Sequence, residues 1–208
     1  YNSNNLPIGI PLQLQSKQPN IITIYSLKAD YSSPWIGNTN IEAGVKTSIV
    51  NTDNNSRFMV YENNEWINDS SRSNHFGYRE QINAAYLGIA KPIGTKWESK
   101  LGLRAEQTIA KGRQYTGNSG FDRDYIAIFP TAYVTYKADT FNQWELNYGR
   151  RIDRPEYRAL NPFTYYSYQY SYTVGNPYLQ PEYTNKIELK HNYKNMLITT
   201  IEYSATNG

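Results

Sequence analysis

Residues 144–183 read WELNYGRRIDRPEYRALNPFTYYSYQYSYTVGNPYLQPEY and decide the fold of this chain. At their start, Trp144, Leu146 and Tyr148 alternate with polar residues, and a long segment rich in Tyr, Pro, Arg and Asn follows. Side chains alternate across a β-strand, so this pattern needs an apolar medium on one face and water on the other. A strand of this kind that leads into a long polar loop predicts a transmembrane β-barrel.

The same alternation recurs along most of the chain, in residues 21–31, 41–49, 78–86, 97–106, 187–193 and 197–204. It predicts an antiparallel all-β fold, although a soluble β-sandwich also alternates. Counted along the whole chain, the pattern gives about nine strands. Single-chain bacterial barrels have even strand numbers, so we expect residues 1–208 to be part of one larger barrel domain. The chain starts at Tyr1 without a signal segment, which we interpret as a mature or excised fragment.

The composition excludes several classes of protein. Mean hydropathy is −0.72 and no apolar run reaches the ~20 residues of a membrane-spanning helix. A barrel remains compatible, because half of each strand and all of the loops are polar. The net charge is only +3 and the basic residues are scattered, so we expect no nucleic-acid partner. The absence of cysteine fits an exported protein and a cytosolic protein equally.

Connections of two lengths separate the strands. Outer-membrane barrels have short periplasmic turns and long external loops, whereas compact soluble domains seldom place several loops longer than ~15 residues on one side. We therefore expect the long connections at one end of the sheet and the short ones at the other. The predicted short turns are Lys91–Thr95, Ala138–Asn142 and Lys194–Asn195. The predicted long loops are Asn51–His75, Lys111–Asp124 and Asp153–Tyr183.

Aromatic residues lie near the strand ends, where outer-membrane barrels carry interfacial girdles. The alternative is the high β-propensity of Tyr and Trp alone. Between the ends, the apolar positions predict a lipid-facing band that comprises Ile41, Val45, Ile82, Trp97, Leu101, Leu103, Trp144, Leu146, Ile187, Leu189 and Ile201. The opposite parity predicts lumen-facing charges at Arg79, Lys100, Arg104, Glu106, Glu145, Glu188 and Lys190.

Several long motifs occur together in this chain: RSNHF (72–76), YREQINAAY (78–86), GLRAEQT (102–108), FDRDYIAIFP (121–130), NYGRRIDRPEYRALNPF (147–163) and GNPYLQPEYTNKIEL (175–189). With these motifs the chain resembles the outer-membrane β-barrel family of Bacteroidetes related to TonB-dependent receptors. The resemblance implies a Gram-negative outer-membrane location and a C-terminal portion of a barrel of about twenty-two strands. It also implies a plug domain and an N-terminal domain elsewhere in the full-length chain, with contact to TonB through that absent N-terminal region.

Two groups of residues are candidates for ligand binding. Arg150, Arg151 and Arg154 can hold an anionic ligand or the phosphates of lipopolysaccharide, because guanidinium groups bind such anions bidentately. Their alternative role is to order the loop through carboxylates. The tyrosines of residues 165–172 can stack on a ligand or simply stabilise a hairpin. The predicted ligand-binding residues are Arg151, Arg154, Tyr165, Tyr168 and Tyr170.

No catalytic motif or calcium loop occurs, and the two histidines lie far apart without Cys partners. We expect no enzyme activity, cofactor or metal site, and an interfacial position for His191. The leading hypothesis is the barrel portion of a TonB-dependent, receptor-like transporter for an unknown nutrient, with outer-membrane lipid or lipopolysaccharide around it. The alternatives are a structural or adhesive barrel without transport, and a soluble Tyr-rich β-module.

Overall fold

The computed structural model describes residues 12–168 and 171–208, and for residues 166–168 it describes the backbone only. The described chain is antiparallel and all-β, as predicted, apart from a 3-10 turn at Ile36–Asn38 and one short helix, α1 (Tyr157–Leu160). No helix in these residues is long and apolar enough to cross a membrane. The strands are β1 (Leu14–Lys17), β2 (Asn20–Trp35), β3 (Thr39–Glu62), β4 (Glu65–Asn68), β5 (Asn74–Ile93), β6 (Trp97–Gln114), β7 (Ser119–Lys137), β8 (Asn142–Asp153), β9 (Thr164–Tyr168), β10 (Ser171–Val174), β11 (Glu182–Tyr193) and β12 (Leu197–Asn207).

Ten of these strands form one sheet, in which each long strand pairs with its neighbours along the chain. The short strands β1 and β4 extend the sheet above β2 and β5, because the upper part of β3 pairs with both of them. The strands β9 and β10 form a separate hairpin. Within the described residues, β2 pairs only with β3 and β12 pairs only with β11. The sheet formed by the described residues is therefore open at both edges.

The predicted division of turns and loops between the two ends is confirmed. Three tight connections follow β5, β7 and β11 at one end, together with the turn after β2. Two of the tight turns need left-handed backbone: Gly94 has φ 67°, and Lys194 and Asn195 have φ 53° and 55°. Glycine and asparagine adopt this conformation readily, which keeps these connections short.

Two of the three predicted long loops are wrong. Most of Asn51–His75 is strand, because β3 continues to Glu62 and β4 follows it. Most of Lys111–Asp124 is also strand, and only residues 115–118 separate β6 from β7. These segments carry polar residues on both faces and lack a regular apolar alternation, so their composition resembles that of a loop although their backbones pair. The third connection, residues 154–181, is a long loop, and we call it the inward loop.

The strand register defines two faces of the sheet. The outer face carries Leu103, which pairs with Leu87 and Pro130, and the inner face carries Glu106, which pairs with Ala84 and Ala127. All members of the predicted lipid-facing band lie on the outer face except Ile82. These apolar side chains are exposed rather than gathered in a core, with Leu103 54% exposed. A soluble sandwich would instead bury its shared apolar face, so this arrangement favours the barrel.

Ile82 is on the inner face, opposite Ser48 and Thr108, and the prediction for it is wrong. The error has a physical origin in β5, where both parities carry apolar side chains. The pattern of residues 78–86 predicts that the even-numbered positions face lipid. Leu87 and Ile89 are odd-numbered, however, and they continue the outer band. The same error misplaces Arg79, which lies on the outer face opposite Asn51 and Lys111 rather than toward the lumen.

Candidate functional site: the inward loop and the inner face

The inward loop folds over the inner face because it carries an apolar anchor. Leu160, at the end of α1, is 2% exposed and packs against Phe76, Tyr78 and Ala110 of the sheet wall. Phe121 and Tyr157 surround this cluster. The cluster is the one group of buried hydrophobic residues that joins a connection to the sheet within the described chain. It holds the loop inside the curve of the strands rather than in the surrounding water.

An ion pair anchors the beginning of the loop. The Arg154 Nη2 donates to Glu106 Oε2 at 2.6 Å and to Thr108 Oγ1 at 3.0 Å. Glu106 is only 8% exposed, and its other oxygen accepts from Arg104 Nε at 2.5 Å. Burial is the largest single influence and opposes the charge of Arg154, but the hydrogen bond and charge of Glu106, together with Tyr125, outweigh it and raise the pKa of Arg154. The loop therefore leaves β8 by turning toward the inner face.

Backbone contacts close the loop on itself. The Gly175 amide donates to Asn161 O at 3.0 Å, and the Asn176 amide donates to Ala159 O at 2.6 Å. A Cβ at position 175 would lie 2.6 Å from Ala159 O and 2.8 Å from Arg158 O, so only glycine fits there. The Pro177 carbonyl also accepts a hydrogen bond from Arg123 of β7. These contacts bring both ends of the β9–β10 hairpin to the sheet wall.

The loop also reaches the opposite side of the sheet. Tyr157 Oη accepts from Asn20 Nδ2 at 2.8 Å, and Tyr165 Oη donates to Gln18 Oε1 at 3.1 Å. The ring of Tyr165 meets the ring of Phe58 edge-on, with centroids 6.5 Å apart. Since Asn20 begins β2 while the loop starts after β8, the chain crosses the mouth of the curved sheet. The inward loop thus covers the long-loop end of the inner surface.

Two cavities lie on the inner side. The first, of about 370 Å³, is enclosed between the inward loop and the wall, and we call it the loop cavity. The second, of about 890 Å³, lies on the sheet and is lined by many charged residues beside apolar ones; we call it the charged cavity. The charged side chains around it are Lys28, Glu42, Lys100, Arg104, Glu106, Arg151, Arg154, Lys186 and Glu188.

Most inner-face charges are already paired. Lys100 lies 2.9 Å from Glu42, and Lys186 bridges Glu188 at 3.1 Å and Glu202 at 2.7 Å. Of the predicted lumen-facing charges, all except Arg79 lie on the inner face, as the register shows for Lys100, Arg104, Glu106, Glu145, Glu188 and Lys190. The inner wall is therefore polar but close to internally neutralised, which leaves few charges free for a ligand.

The structure separates the three arginines of the RRIDRP motif. Arg150 lies on the outer face, with its guanidinium 4.6 Å from the centre of the Tyr183 ring. Arg154 is held by Glu106, whereas Arg151 is exposed on the inner face beside the charged cavity. Among the described residues, the side chain of Arg151 forms no hydrogen bond or ion pair. Its guanidinium is therefore the one in this motif that is most available to an anion.

The predicted tyrosines fall partly outside the described part of the chain. Tyr165 lines the loop cavity, and only the backbone of Tyr168 is described, in strand β9. Tyr170 lies outside the described residues. The sequence reasoning missed Gln18, Asn54, Asn74 and Asn161, which also line the loop cavity. No local signal marks them, because single amides are common in loops and the strands that bring them together are distant in sequence.

In the described residues, no cluster of three or more His, Asp or Glu side chains that could hold a metal ion occurs. His191 lies on the outer face near the short-turn end and stacks on Trp144 with centroids 4.1 Å apart; its interfacial position stays a prediction. Trp97 and Tyr136 stack beside them at 4.3 Å. These rings form an aromatic row at the short-turn end, as a membrane girdle requires.

A model of the outer membrane protein beta-barrel family matches residues 1–208. No curated protein matches the chain. Among solved structures, it is similar to the unliganded ferric citrate transporter FecA, with a TM-score of 0.64 and 15% identity over 93% of this chain and 28% of that one. It is also similar to the copper transporter OprC, with a TM-score of 0.62 and 10% identity over 91% of this chain and 31% of that one. For the ferric yersiniabactin uptake receptor FyuA from Yersinia pestis, the TM-score is 0.57 and the identity is 12% over 94% of this chain and 30% of that one.

The family match confirms the predicted outer-membrane β-barrel family and the outer-membrane location. The identities to the solved structures are low, so the likeness shows a shared barrel fold and nothing about the ligand. The chain spans about a third of the length of each of these proteins. The apolar outer face is accordingly the surface that meets the outer-membrane lipid.

Proposed function

This chain belongs to the outer membrane protein beta-barrel family, and we propose that it is the barrel portion of a TonB-dependent, receptor-like transporter for a nutrient. The observation that carries this proposal is the inward loop, which crosses the inner side of the sheet and encloses a cavity there. A loop that only adhered to external surfaces would project outward. The similar solved barrels are named as transporters and an uptake receptor, which supports a transport role rather than an enzymatic one.

The rest of the receptor supplies what this chain lacks. Residues 1–208 would be one part of a single barrel domain, and further strands would pair with the free edges of β2 and β12. A plug domain would fill the space beside the inner face, where paired charges offer it a polar surface. TonB would act on the plug through the N-terminal region, and lipopolysaccharide would surround the outer face. The mechanism is capture of the ligand under the loops, followed by movement of the plug.

Arg151 gives the first test of this proposal. In the full-length protein, Arg151→Ala removes an exposed guanidinium without breaking a contact within the described chain, while Arg154→Ala breaks the pair with Glu106. We expect Arg151→Ala to retain normal surface abundance and to reduce uptake of an anionic nutrient, and Arg154→Ala to reduce abundance. The measurements are surface labelling and growth of a deletion strain limited in turn for iron, copper, peptide and glycan.

The deletion strain itself separates transport from adhesion. A transporter predicts a growth defect under at least one limitation, restored by the wild-type protein. Normal growth under all four limitations, combined with lost attachment to surfaces, would contradict the transport proposal and favour the adhesive barrel. The soluble module is already disfavoured, because its apolar face would be exposed to water.

A further inference from the structure

The loop cavity has a chemistry unlike that of the rest of the inner face. Its polar side chains are uncharged apart from Arg158, and no carboxylate lines it. Amides and hydroxyls can each donate and accept hydrogen bonds, so they suit a ligand that does both. The uncharged polar residues besides its tyrosines are Gln18, Asn54, Ser56, Asn74, Asn161 and Thr173.

One polar atom beside this cavity, the side-chain oxygen of Asn74, has no hydrogen-bond partner. The residue is 3% exposed, and its Oδ1 has no hydrogen bond within the described chain. Its Nδ2 donates to Asn161 Oδ1 at a long 3.5 Å. Buried polar atoms are normally paired, because an unpaired one keeps the full cost of leaving water. A rotation of the Asn74 side chain toward the cavity would therefore let a hydroxyl or amide of a ligand pair with this buried oxygen.

Further donors point to the same chemistry. Gln18 uses its Oε1 for Tyr165, and Asn54 uses its Oδ1 for Ser56 Oγ at 2.9 Å. Within the described residues, neither amide nitrogen of this pair donates a hydrogen bond. Besides Asn74, the cavity thus offers two amide donors, one from β3 and one from the connection between β1 and β2. Such a spread fits a ligand that carries several hydroxyl groups.

Aromatic rings complete the lining. Tyr157, Phe163 and Tyr165 border the cavity and supply flat apolar surfaces next to the amides. A sugar ring presents apolar C–H faces between its hydroxyl groups. Aromatic rings can stack on these faces while the amides form hydrogen bonds with the hydroxyls. Arg158 does not make the cavity a strong anion site, because its Nε donates to Tyr157 Oη at 3.2 Å and its guanidinium lies over the same ring.

We propose that the loop cavity binds a neutral saccharide, held by the amides of Gln18, Asn54 and Asn74 and by the rings of Tyr157 and Tyr165. Its volume of about 370 Å³ is that of a small-molecule pocket, so it encloses one or two sugar rings rather than a long chain. The inward loop forms one wall of the site, which means that the ligand enters from the long-loop end. The role of this site in uptake rests on the transport function proposed above, but binding does not.

The test is direct titration of the purified full-length protein in detergent, with short fluorescent oligosaccharides as probes. Neutral probes contain glucose, mannose, xylose or N-acetylglucosamine, and uronate and sulfated oligomers are the charged comparison. Asn74→Leu roughly keeps the side-chain volume and removes the unpaired acceptor. Gln18→Ala removes an amide at an exposed site and provides a second variant if Asn74→Leu does not fold. Tyr178→Ala is the matched control, because Tyr178 is 80% exposed in the same loop and does not line the cavity.

We expect at least one neutral probe to bind, and binding to weaken roughly tenfold in Asn74→Leu and in Gln18→Ala but not in Tyr178→Ala. Binding of the charged oligomers alone would overturn the proposal. Failure of every neutral probe, or binding that neither cavity variant changes, would overturn it as well. Because the titration needs neither plug movement nor energy, saccharide binding without a growth defect in the deletion strain would reject the transport function and keep this site.

Discussion

Single residues of this chain have roles that their neighbours in sequence do not share. Arg150, Arg151 and Arg154 lie within one motif, yet they contact Tyr183, solvent and Glu106 respectively. The sequence identifies these arginines as candidate binding residues, but it does not predict that each one has a different environment. Strand parity and the point where β8 ends decide which way each side chain faces. Asn74 could not be recognised from the sequence at all, since its environment is made by a loop more than eighty residues away.

Arg154→Ala should destabilise the protein by about 1–3 kcal/mol, because it leaves the buried Glu106 with fewer partners. The loss stays below that of a wholly unpaired carboxylate, since Arg104 remains 2.5 Å from Glu106. Urea unfolding in detergent measures the effect, with Arg151→Ala as the control that should change little. The double variant Arg154→Ala with Glu106→Gln should recover part of the loss. No recovery would mean that packing, rather than charge, explains the effect.

The turn between β7 and β8 should depend on pH. Asp139 accepts hydrogen bonds from the side chain and backbone of Asn142 and from the Phe141 amide, and these lower its pKa. A lowered pKa stabilises the folded turn above the pKa of the unfolded chain, and this stabilisation is lost as pH falls through the folded pKa. Amide exchange at Phe141 and Asn142 should therefore accelerate in acid. In Asp139→Asn this acid-dependent change should vanish, and its persistence would rule out the carboxylate as the cause.

At the scale of strands and loops, alternation predicts the outer band well wherever one face meets lipid. It fails in the upper parts of β3, β5 and β6, because neither face there is consistently apolar and no parity is favoured. The long inward loop could be predicted to exist but not to fold inward. That direction depends on Leu160 meeting Phe76 and Ala110, which belong to strands far away in sequence.

Leu103→Arg should destabilise the barrel by roughly 2–4 kcal/mol, because it places a charge in the lipid-facing band. The matched control is Thr131→Arg on the neighbouring strand β7, whose side chain points to the inner face between Gly102 and Gly149. Folding in lipid vesicles measures both variants. Equal effects of the two substitutions would contradict the assignment of the faces.

Gly175→Ala should release the inward loop from the wall. The new Cβ would collide with the carbonyl oxygens of Arg158, Ala159 and Asn161, which are backbone atoms that cannot move independently. Limited proteolysis should then cut within residues 154–181 faster than in the wild-type protein, while the strands stay intact. Gly149→Ala is the control, because nothing lies within 4 Å of its added Cβ. Unchanged cleavage in Gly175→Ala would show that the loop tolerates the methyl group.

For the whole molecule, the open sheet, the apolar outer face and the covered inner face agree with one arrangement across the outer membrane. Barrels of this kind place short turns in the periplasm and long loops outside the cell. The turn at Asn195 should then face the periplasm, whereas the inward loop and the β6–β7 turn should face the exterior. The sequence predicts this polarity from connection lengths alone, because antiparallel neighbours must return to alternate ends.

The absence of cysteine from residues 1–208 makes single-cysteine labelling a clean test of that polarity in this part of the receptor. In intact cells that express the full-length protein, a membrane-impermeant maleimide should label Tyr178→Cys and Asn118→Cys, because both positions are exposed at the long-loop end. Asn195→Cys should be labelled only after the outer membrane is permeabilised, since its turn lies at the other end of the sheet. Labelling of Asn195→Cys in intact cells, with Tyr178→Cys protected, would reverse the orientation and place the loop cavity on the periplasmic side, out of reach of an external ligand.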